Sequence, residues 1–391
     1  MITCFRRNTA LIALLALTLA QTAPVRASDT IKIGFSVSET GALAAPSVFD
    51  RQGYELAADE VNAHGGLLGK KIELVHYDDQ STPSTAVALY QKLISDDKVD
   101  LVMGPYSSQI NSAVTPIVDR AKLVMPSMDA NPTAFDGSHP FVFQAIAQTP
   151  QYMAPMIDFA ARRGVKTVAL LYQNSPFPSA LASGIKDEAQ KHGMKIVFEE
   201  AYPPATTDFG PLLLKVAATN PDLLIGGTFL ADAEGIVRAA KSQNLHAKMY
   251  AFSVGPVEPE FSRALGPAAE NIFGNTLWFP SLATKGNADF VKAFRAKFNR
   301  DPDYHAALSY AALKLMTTAA AAVGSLDQEK IRTWLHGRTI DTVLGPFKLS
   351  PTGLQTGFSS YVIQWQKEKQ LLVWPAQNAT GTPVFPHPGW Q

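Results

Sequence analysis

The chain has 391 residues, with 34 Lys and Arg against 34 Asp and Glu. A balanced charge without a basic patch argues against nucleic acid and anionic membrane surfaces as partners. The single cysteine is Cys4, so disulfides cannot hold the fold together and apolar cores must stabilise it. The length is sufficient for two such cores.

The first 27 residues are predicted to be a secretory signal peptide. Arg6 and Arg7 give a positive start, and residues 10–20 are apolar but too short to span a bilayer. Val25-Arg26-Ala27 has the small-x-small pattern that precedes cleavage. An uncleaved N-terminal anchor is the alternative. Cleavage predicts a soluble protein exported to the periplasm.

The region after residue 30 alternates between strand and helix patterns. Short apolar runs predict strands, and apolar residues at helical spacing predict helices between them. The predicted order is strand 31–37, helix 48–66, strand 71–79, helix 83–97, strand 99–104, helix 107–121 and strand 122–126.

A second series with the same rhythm starts near Gln148. It is followed by a helical region over 288–323, a further helix around 330–336 and a hairpin over 358–375. Alternating strands and helices predict parallel sheets with helices on both faces. The sequence therefore predicts an α/β protein containing two copies of one architecture.

The stretch "HGGLLGKKIELVHYDD" (64–79) has the glycines and lysines of a phosphate-binding loop, but in the wrong order. Such a loop follows a strand and opens a helix, whereas here a helix ends and a strand begins. His64 stands where the motif needs glycine, and Lys71 where it needs Ser or Thr. Gly65 and Gly66 are interpreted as a helix stop and a turn.

No motif in the chain predicts catalysis. A G-x-S-x-G elbow and an H-E-x-x-H metal motif are both missing, and the eight histidines are scattered. The pair Asp78-Asp79 is as well explained by a solvated turn as by acid–base chemistry. We therefore expect no enzyme activity, no metal and no cofactor.

Several segments resemble the type I periplasmic substrate-binding proteins of the branched-chain amino acid class, the receptors of ABC importers. They include "IKIGFSVSETGALA", "GGLLGKKIELVHYDD", "LVMGPYSSQINSAVTPI", "VMPSMDANP" and "TVLGPFKLSPTGLQTG". The resemblance implies two doubly wound parallel-sheet lobes joined by a three-segment hinge, with a ligand between them. The expected lobes are residues 28–146 with 279–350, and 147–278 with 351–391. It also implies a monomer that serves ABC permease and ATPase subunits.

The resemblance places a ligand carboxylate on the loop "GPYSSQ". Here Tyr106, Ser107 and Ser108 match the family's loop, and a serine at a helix start can bind an anion through its hydroxyl and free N–H groups. An ordinary helix N-cap is the alternative for these serines.

The next family loop is "PSMDANP", one residue longer between its prolines than the expected form. Ser127, Met128, Asp129 and Ala130 are the candidates. Asp129 could hold an ammonium or a phenol-type hydroxyl, or could cap the local turn.

In the second lobe, Phe177 and Phe229 stand where the family places aromatic side chains over the ligand, and Trp278 would add a third wall. Packing in the core is the alternative for each ring. Ser253 is at about the position where amino acid binders present a glutamate to the ammonium. This difference puts α-amino acid binding in doubt.

The leading hypothesis is a periplasmic binding protein for a small carboxylate. An aromatic or other organic acid is slightly favoured over a branched-chain-type amino acid, because of Ser253 and the three aromatic residues. An exported ligand-sensing module that signals to a receptor partner is the alternative function.

Overall fold

The computed structural model describes Met1 and residues 30–390, so the predicted signal peptide, apart from Met1, lies outside the described residues. In the described part, the strands are β1 Ile31–Val37, β2 Ile72–Asp78, β3 Leu101–Val102, β4 Met125–Ser127, β5 Val142–Gln144, β6 Thr167–Gln173, β7 Lys195–Tyr202, β8 Leu223–Gly227, β9 Met249–Phe252, β10 Phe273–Thr276, β11 Thr339–Thr342, β12 Gly345–Lys348, β13 Tyr361–Gln366 and β14 Lys369–Trp374. The α-helices are α1 Ala44–Ala63, α2 Pro83–Ser95, α3 Ser108–Arg120, α4 Thr149–Tyr152, α5 Ala154–Arg162, α6 Pro176–Lys191, α7 Gly210–Ala217, α8 Leu230–Ser242, α9 Pro259–Leu265, α10 Asn287–Phe298, α11 Tyr304–Val323 and α12 Gln328–His336.

The first strands form a parallel arrangement in the order β2-β1-β3, and β4 pairs in parallel with β5. The N–H of Gly104, just after β3, donates to the carbonyl of Pro126 in β4 at 3.0 Å. The five strands therefore follow the order 2-1-3-4-5, which is a doubly wound topology. Strands β3 and β4 are short and make few hydrogen bonds to their neighbours, because the chain leaves the sheet after two or three residues and enters the loops that follow them.

The second sheet has the order β14-β13-β10-β9-β8-β6-β7 in the described chain. Strands β6 to β10 run parallel, and β8 is buried at all five positions because helices cover both faces. The antiparallel β13 and β14 form the hairpin that the sequence predicts near the end of the chain. The α/β prediction with parallel sheets is confirmed.

The predicted lobe boundaries fall in connections between strands of different sheets. The chain passes from β5 to β6, leaves the large sheet after Thr276, and returns to it at Tyr361. We call the elements around the small sheets the first lobe and those around the seven-stranded sheet the second lobe. The exact residue ranges of the lobes stay a prediction.

Helix α1 ends as the sequence predicts. Gly65 and Gly66 follow it with φ of +98° and +78°, a conformation that glycine adopts without steric strain. Helix α11 is long and apolar enough to cross a membrane by length and composition, yet 72% of its most apolar window is buried inside the protein. It is therefore explained as a core helix, packed against α1.

The crossing of α1 and α11 is unusually close at Gly53. A Cβ at this position would lie 2.1 Å from the Oγ of Ser309 and 2.3 Å from the carbonyl oxygen of Ala306. The hydroxyl could rotate away, but the carbonyl belongs to the α11 backbone and cannot. Glycine is therefore required for the two helices to approach this closely.

Replacing Gly53 by alanine is expected to destabilise the protein. Overpacking costs about 1–3 kcal/mol, which exceeds the roughly 1 kcal/mol that alanine gains over glycine inside a helix. Thermal unfolding should show a lower melting temperature. The control is Gly337→Ala, where the new Cβ would have its nearest neighbour at 3.6 Å. A Gly53→Ala variant as stable as the control would contradict the close crossing.

Candidate functional site

A cavity lies between the lobes, at the carboxyl ends of strands from both sheets. Open parallel sheets bind ligands at this edge. Seven of the residues singled out in the sequence line it. The first lobe contributes Tyr106, Ser107, Ser108, Met128 and Ala130, and the second contributes Phe177 and Phe229.

The start of α3 forms one side of the cavity. Ser107 is the N-cap residue, and its Oγ accepts from the N–H of Ile110 at 3.4 Å. Its φ of +74° is a conformation that non-glycine residues rarely adopt, and such strain often marks a ligand site. The first N–H groups of any helix have no intrahelical acceptor. Together with the helix dipole, they make this end of the cavity attractive to an anion.

Asn111 holds the two first-lobe loops in place. Its Nδ2 donates to the carbonyls of Pro105 (2.6 Å) and Ser107 (2.8 Å), and its Oδ1 accepts from the N–H of Met128 (3.2 Å). The N–H of Ala130 also donates to the Oγ of Ser108 at 3.1 Å. These bonds fix the loop after β3 against the loop after β4, so the serines are positioned before a ligand arrives.

Ser127 and Asp129 are close to the cavity but are not part of its wall. The Oγ of Ser127 donates to the Oδ1 of Asn111 at 2.9 Å, inside the loop. The carboxylate of Asp129 accepts from the Oγ of Ser112 (2.7 Å) and the N–H of Asn131 (2.9 Å). Burial raises the pKa of Asp129, while these bonds and one from Ser108 act against that rise. Asp129 therefore has protein partners, as the turn-capping alternative proposes.

Ser253 and Trp278 are not brought to the cavity either. The Oγ of Ser253 donates to the carbonyl of Thr228 (2.8 Å) and accepts from its N–H (2.9 Å), which ties the end of β9 to the end of β8. The indole N–H of Trp278 donates to the Oδ1 of Asn287 at 2.6 Å, and the ring packs edge-on against Phe290. Both side chains therefore make hydrogen bonds that stabilise the fold.

Sequence reasoning missed half of the wall. The missed residues come from α1, α4, α11 and two connections, and they are Asp50, Ile146, Tyr152, Val254, Tyr304, His305 and Leu308. For two of these residues the sequence did contain an indication of a functional role. Asp50 and His305 are titratable residues among the mostly apolar buried residues of α1 and α11.

Buried carboxyl groups lie in the cavity wall and near it. Within the described residues, no lysine or arginine belongs to its wall. Burial, and then the charge of Asp303, raises the pKa of Asp50 well above its usual range. Glu258 is only 1% exposed, and burial followed by the charge of Asp303 raises its pKa as well. Its Oε2 has no hydrogen-bond partner among the described residues.

Glu258 is relevant to the expectation that this protein lacks a glutamate for a ligand ammonium, which was based on Ser253. It follows Ser253 by five residues, just after the 3-10 helix Gly255–Val257, and its charge acts on the nearby hydroxyl of Tyr106. Tyr106 lines the cavity. A carboxylate that could receive an ammonium is therefore present in this region, although not at the position expected from the sequence.

A wider cleft continues outward from the cavity. It has an empty volume of about 1320 Å³ and shares Ser107, Ser108, Phe177 and Phe229 with the inner cavity. These four residues mark the mouth of the cavity. Among the described residues, no group of three or more His, Cys, Asp or Glu side chains is arranged to hold a metal ion.

An apolar, ring-lined cavity between two α/β lobes, with an anion-attracting helix start at its mouth, defines a binding protein. A profile of the family described as "Periplasmic binding protein" matches residues 30–370. The chain belongs to this family, and specifically to the type I members of the branched-chain amino acid class. The family is one of solute-binding proteins rather than enzymes.

Individual relatives agree with this assignment. An amino acid binding protein of Pseudomonas aeruginosa is 27% identical over 341 residues, covering 86% of this chain and 90% of the relative. The leucine-specific-binding protein of Salmonella typhimurium is 24% identical over 376 residues, covering 94% and 99%.

Solved structures show the same fold. The branched-chain amino acid transporter substrate binding protein of Streptococcus pneumoniae, in complex with isoleucine, has a TM-score of 0.80 at 25% identity, covering 92% of this chain and 100% of that chain. A solute binding protein of an ABC transporter from R. palustris, in complex with benzoate, has a TM-score of 0.79 at 21% identity, covering 91% and 98%. At this lower identity the likeness concerns the fold.

Proposed function

We propose that this protein is the periplasmic solute-binding component of an ABC importer and captures a small carboxylate between its lobes. The observation that carries the proposal is the meeting of Ser107 and Ser108, at the start of α3, with the aromatic wall of the cavity. The helix start suits the carboxylate, and the rings suit a flat apolar body. The loaded protein then delivers the ligand to permease and ATPase subunits.

An aromatic acid is the favoured ligand. Phe177 and Phe229 lie with ring centroids 5.9 Å apart, and Phe177 packs edge-on against Tyr152 at 5.6 Å. These rings line the cavity and can bury the apolar body of a ligand without requiring a second charge on it. The benzoate-bound structure shows that this fold can enclose such a molecule.

An amino acid with an apolar side chain is the second candidate, and Glu258 is the observation in its favour. A buried carboxylate without a partner is unfavourable unless a cation or a proton neutralises it. The relatives named as amino acid binders support the same alternative. The two ligand classes differ in whether Glu258 has a direct role.

A ligand panel tests the function. Thermal shift followed by calorimetry should detect benzoate-type and phenylpropanoid acids, and the corresponding amides should bind much more weakly because they lack the charge. Leucine, valine and phenylalanine form the amino acid arm of the panel. A protein that responds to no carboxylate in either arm would contradict the proposal.

Lobe closure is a separate expectation. Because residues of both lobes line the cavity, a ligand that contacts both should favour the closed arrangement. Small-angle scattering should show a smaller radius of gyration at saturating ligand than without it. The control is the same titration with a non-binding amide. An unchanged radius through a calorimetrically proven binding transition would rule out hinge closure.

A further inference from the structure

Two polar side chains in the wall of the cavity have unused hydrogen-bonding atoms. Asp50 is 5% exposed and His305 is 2% exposed. Neither the Oδ2 of Asp50 nor the Nε2 of His305 has a partner within the described chain, and both residues line the cavity. Buried polar atoms in proteins are normally satisfied. These two atoms belong to residues of the same cavity wall, so they are available to a polar group that a ligand supplies.

These two residues lie on the inner side of the cavity, away from its mouth. The outer cleft shares Ser107 and Ser108 with the cavity, but not Asp50 or His305. Asp50 precedes Gly53 by about one turn of α1, and His305 precedes the facing Ser309 by one turn of α11. The close crossing at Gly53 thus brings the two side chains to one part of the wall.

The hydrogen bond at Nδ1 of His305 determines whether its Nε2 donates or accepts. Its Nδ1 lies 2.8 Å from the Oδ2 of Asp303, whose other oxygen accepts from the N–H of Ala306 and caps α11. Asp303 therefore favours the tautomer with the proton on Nδ1. In the neutral ring, Nε2 is then a hydrogen-bond acceptor without a partner among the described residues.

Asp50 complements this acceptor. Burial and the nearby charge of Asp303 raise the pKa of Asp50 and favour its neutral form, which has an O–H donor as well as acceptor oxygens. A hydroxyl group on a ligand can donate to Nε2 and accept from the carboxyl at the same time. An ammonium would instead stabilise ionised Asp50 and could donate to both atoms, so an aminomethyl analogue is the competing ligand in the test.

We propose that Asp50 and His305 form a receptor for a ring hydroxyl, and that the preferred ligand is an aromatic acid hydroxylated at the end remote from its carboxylate. Tyr106 lies edge-on to the His305 ring with centroids 5.3 Å apart and continues the aromatic wall towards Ser107. This inference rests on the proposed binding of an aromatic carboxylate and specifies its substrate class.

Matched ligand pairs test the hydroxyl. Calorimetry compares benzoate with 4-hydroxybenzoate, and 3-phenylpropanoate with 3-(4-hydroxyphenyl)propanoate, so that two lengths are sampled. In the pair that fits, the hydroxyl should raise affinity by roughly ten- to a hundred-fold. Equal affinities within both pairs would overturn the hydroxyl receptor and leave carboxylate binding intact. No binding of any of the four acids would instead overturn the proposed function. If 4-(aminomethyl)benzoate binds more tightly than 4-hydroxybenzoate, Asp50 and His305 bind an ammonium and the hydroxyl receptor is overturned.

Variants then locate the effect. Asp50→Leu and His305→Asn should each abolish the preference for the hydroxylated member while changing the affinity of the plain member only a few-fold. Asparagine at 305 can still donate to Asp303 in place of Nδ1, but lacks the atom corresponding to Nε2. Asp59→Leu, at an exposed aspartate of the same helix, should change neither affinity. Melting curves confirm folding of each variant, and a preference retained in either folded variant would overturn the assignment.

Discussion

Ser108→Ala is expected to weaken carboxylate binding by roughly ten- to a hundred-fold. A hydrogen bond to a charged group contributes about 1.5–3 kcal/mol, which corresponds to that range. Ser108 is 2% exposed, lines the cavity and begins α3. The prediction requires its hydroxyl to turn from Asp129 to the ligand carboxylate. Calorimetry with the best acid from the ligand panel measures the loss.

The control for this change is Ser95→Ala, at an exposed serine in the last turn of α2. It should bind like the wild type. The fold of Ser108→Ala should also be preserved, because the cap of α3 is Ser107 and not Ser108. An unchanged dissociation constant in a folded Ser108→Ala variant would show that Ser108 only supports the loop through Ala130.

Glu258→Gln is expected to separate the two ligand classes. If an amino acid binds with its ammonium at Glu258, removal of the charge should weaken it by about 2–5 kcal/mol, or roughly thirty-fold to several thousand-fold. An aromatic acid without an ammonium should lose nothing, because the variant removes a buried acid whose Oε2 has no hydrogen-bond partner among the described residues. Calorimetry with phenylalanine and 3-phenylpropanoate makes the comparison at matched ring size.

Glu329→Gln, at an exposed glutamate of α12 that pairs with Arg332 at 2.9 Å, is the control. It should leave both ligands unaffected. Equal losses for the amino acid and the aromatic acid in Glu258→Gln would contradict a ligand-specific role and assign Glu258 to the structure of the second lobe.

The fold could be predicted from sequence because its signals are local. Strand patterns of apolar residues, helical spacing and the Gly65-Gly66 stop each act over a few residues, and the structure has these elements. Ser107 and Ser108 could be predicted because they match a loop of the family that the sequence resembles; their local pattern alone indicates only the start of a helix.

The inner wall could not be predicted because it depends on contacts between distant parts of the chain. Asp50 and His305 are about 250 positions apart, and only the close crossing of their helices at Gly53 brings them together. Ser253 and Trp278 were predicted as site residues but do not line the cavity. Their loop positions suited a site, but Thr228 and Asn287 provide hydrogen-bond partners that sequence spacing does not reveal.

The position of Phe177 and Phe229 at the mouth of the cavity has a consequence for the residence time of a ligand. Both rings border the inner cavity and the outer cleft, so a bound molecule leaves past side chains that belong to the second lobe. If the lobes close on the ligand as proposed, its escape requires them to separate, and the dissociation rate then has the opening rate as its upper limit. Ligands of different affinity would share this upper limit. Their dissociation rates would differ because a weakly bound ligand leaves at a larger fraction of the openings than a tightly bound one.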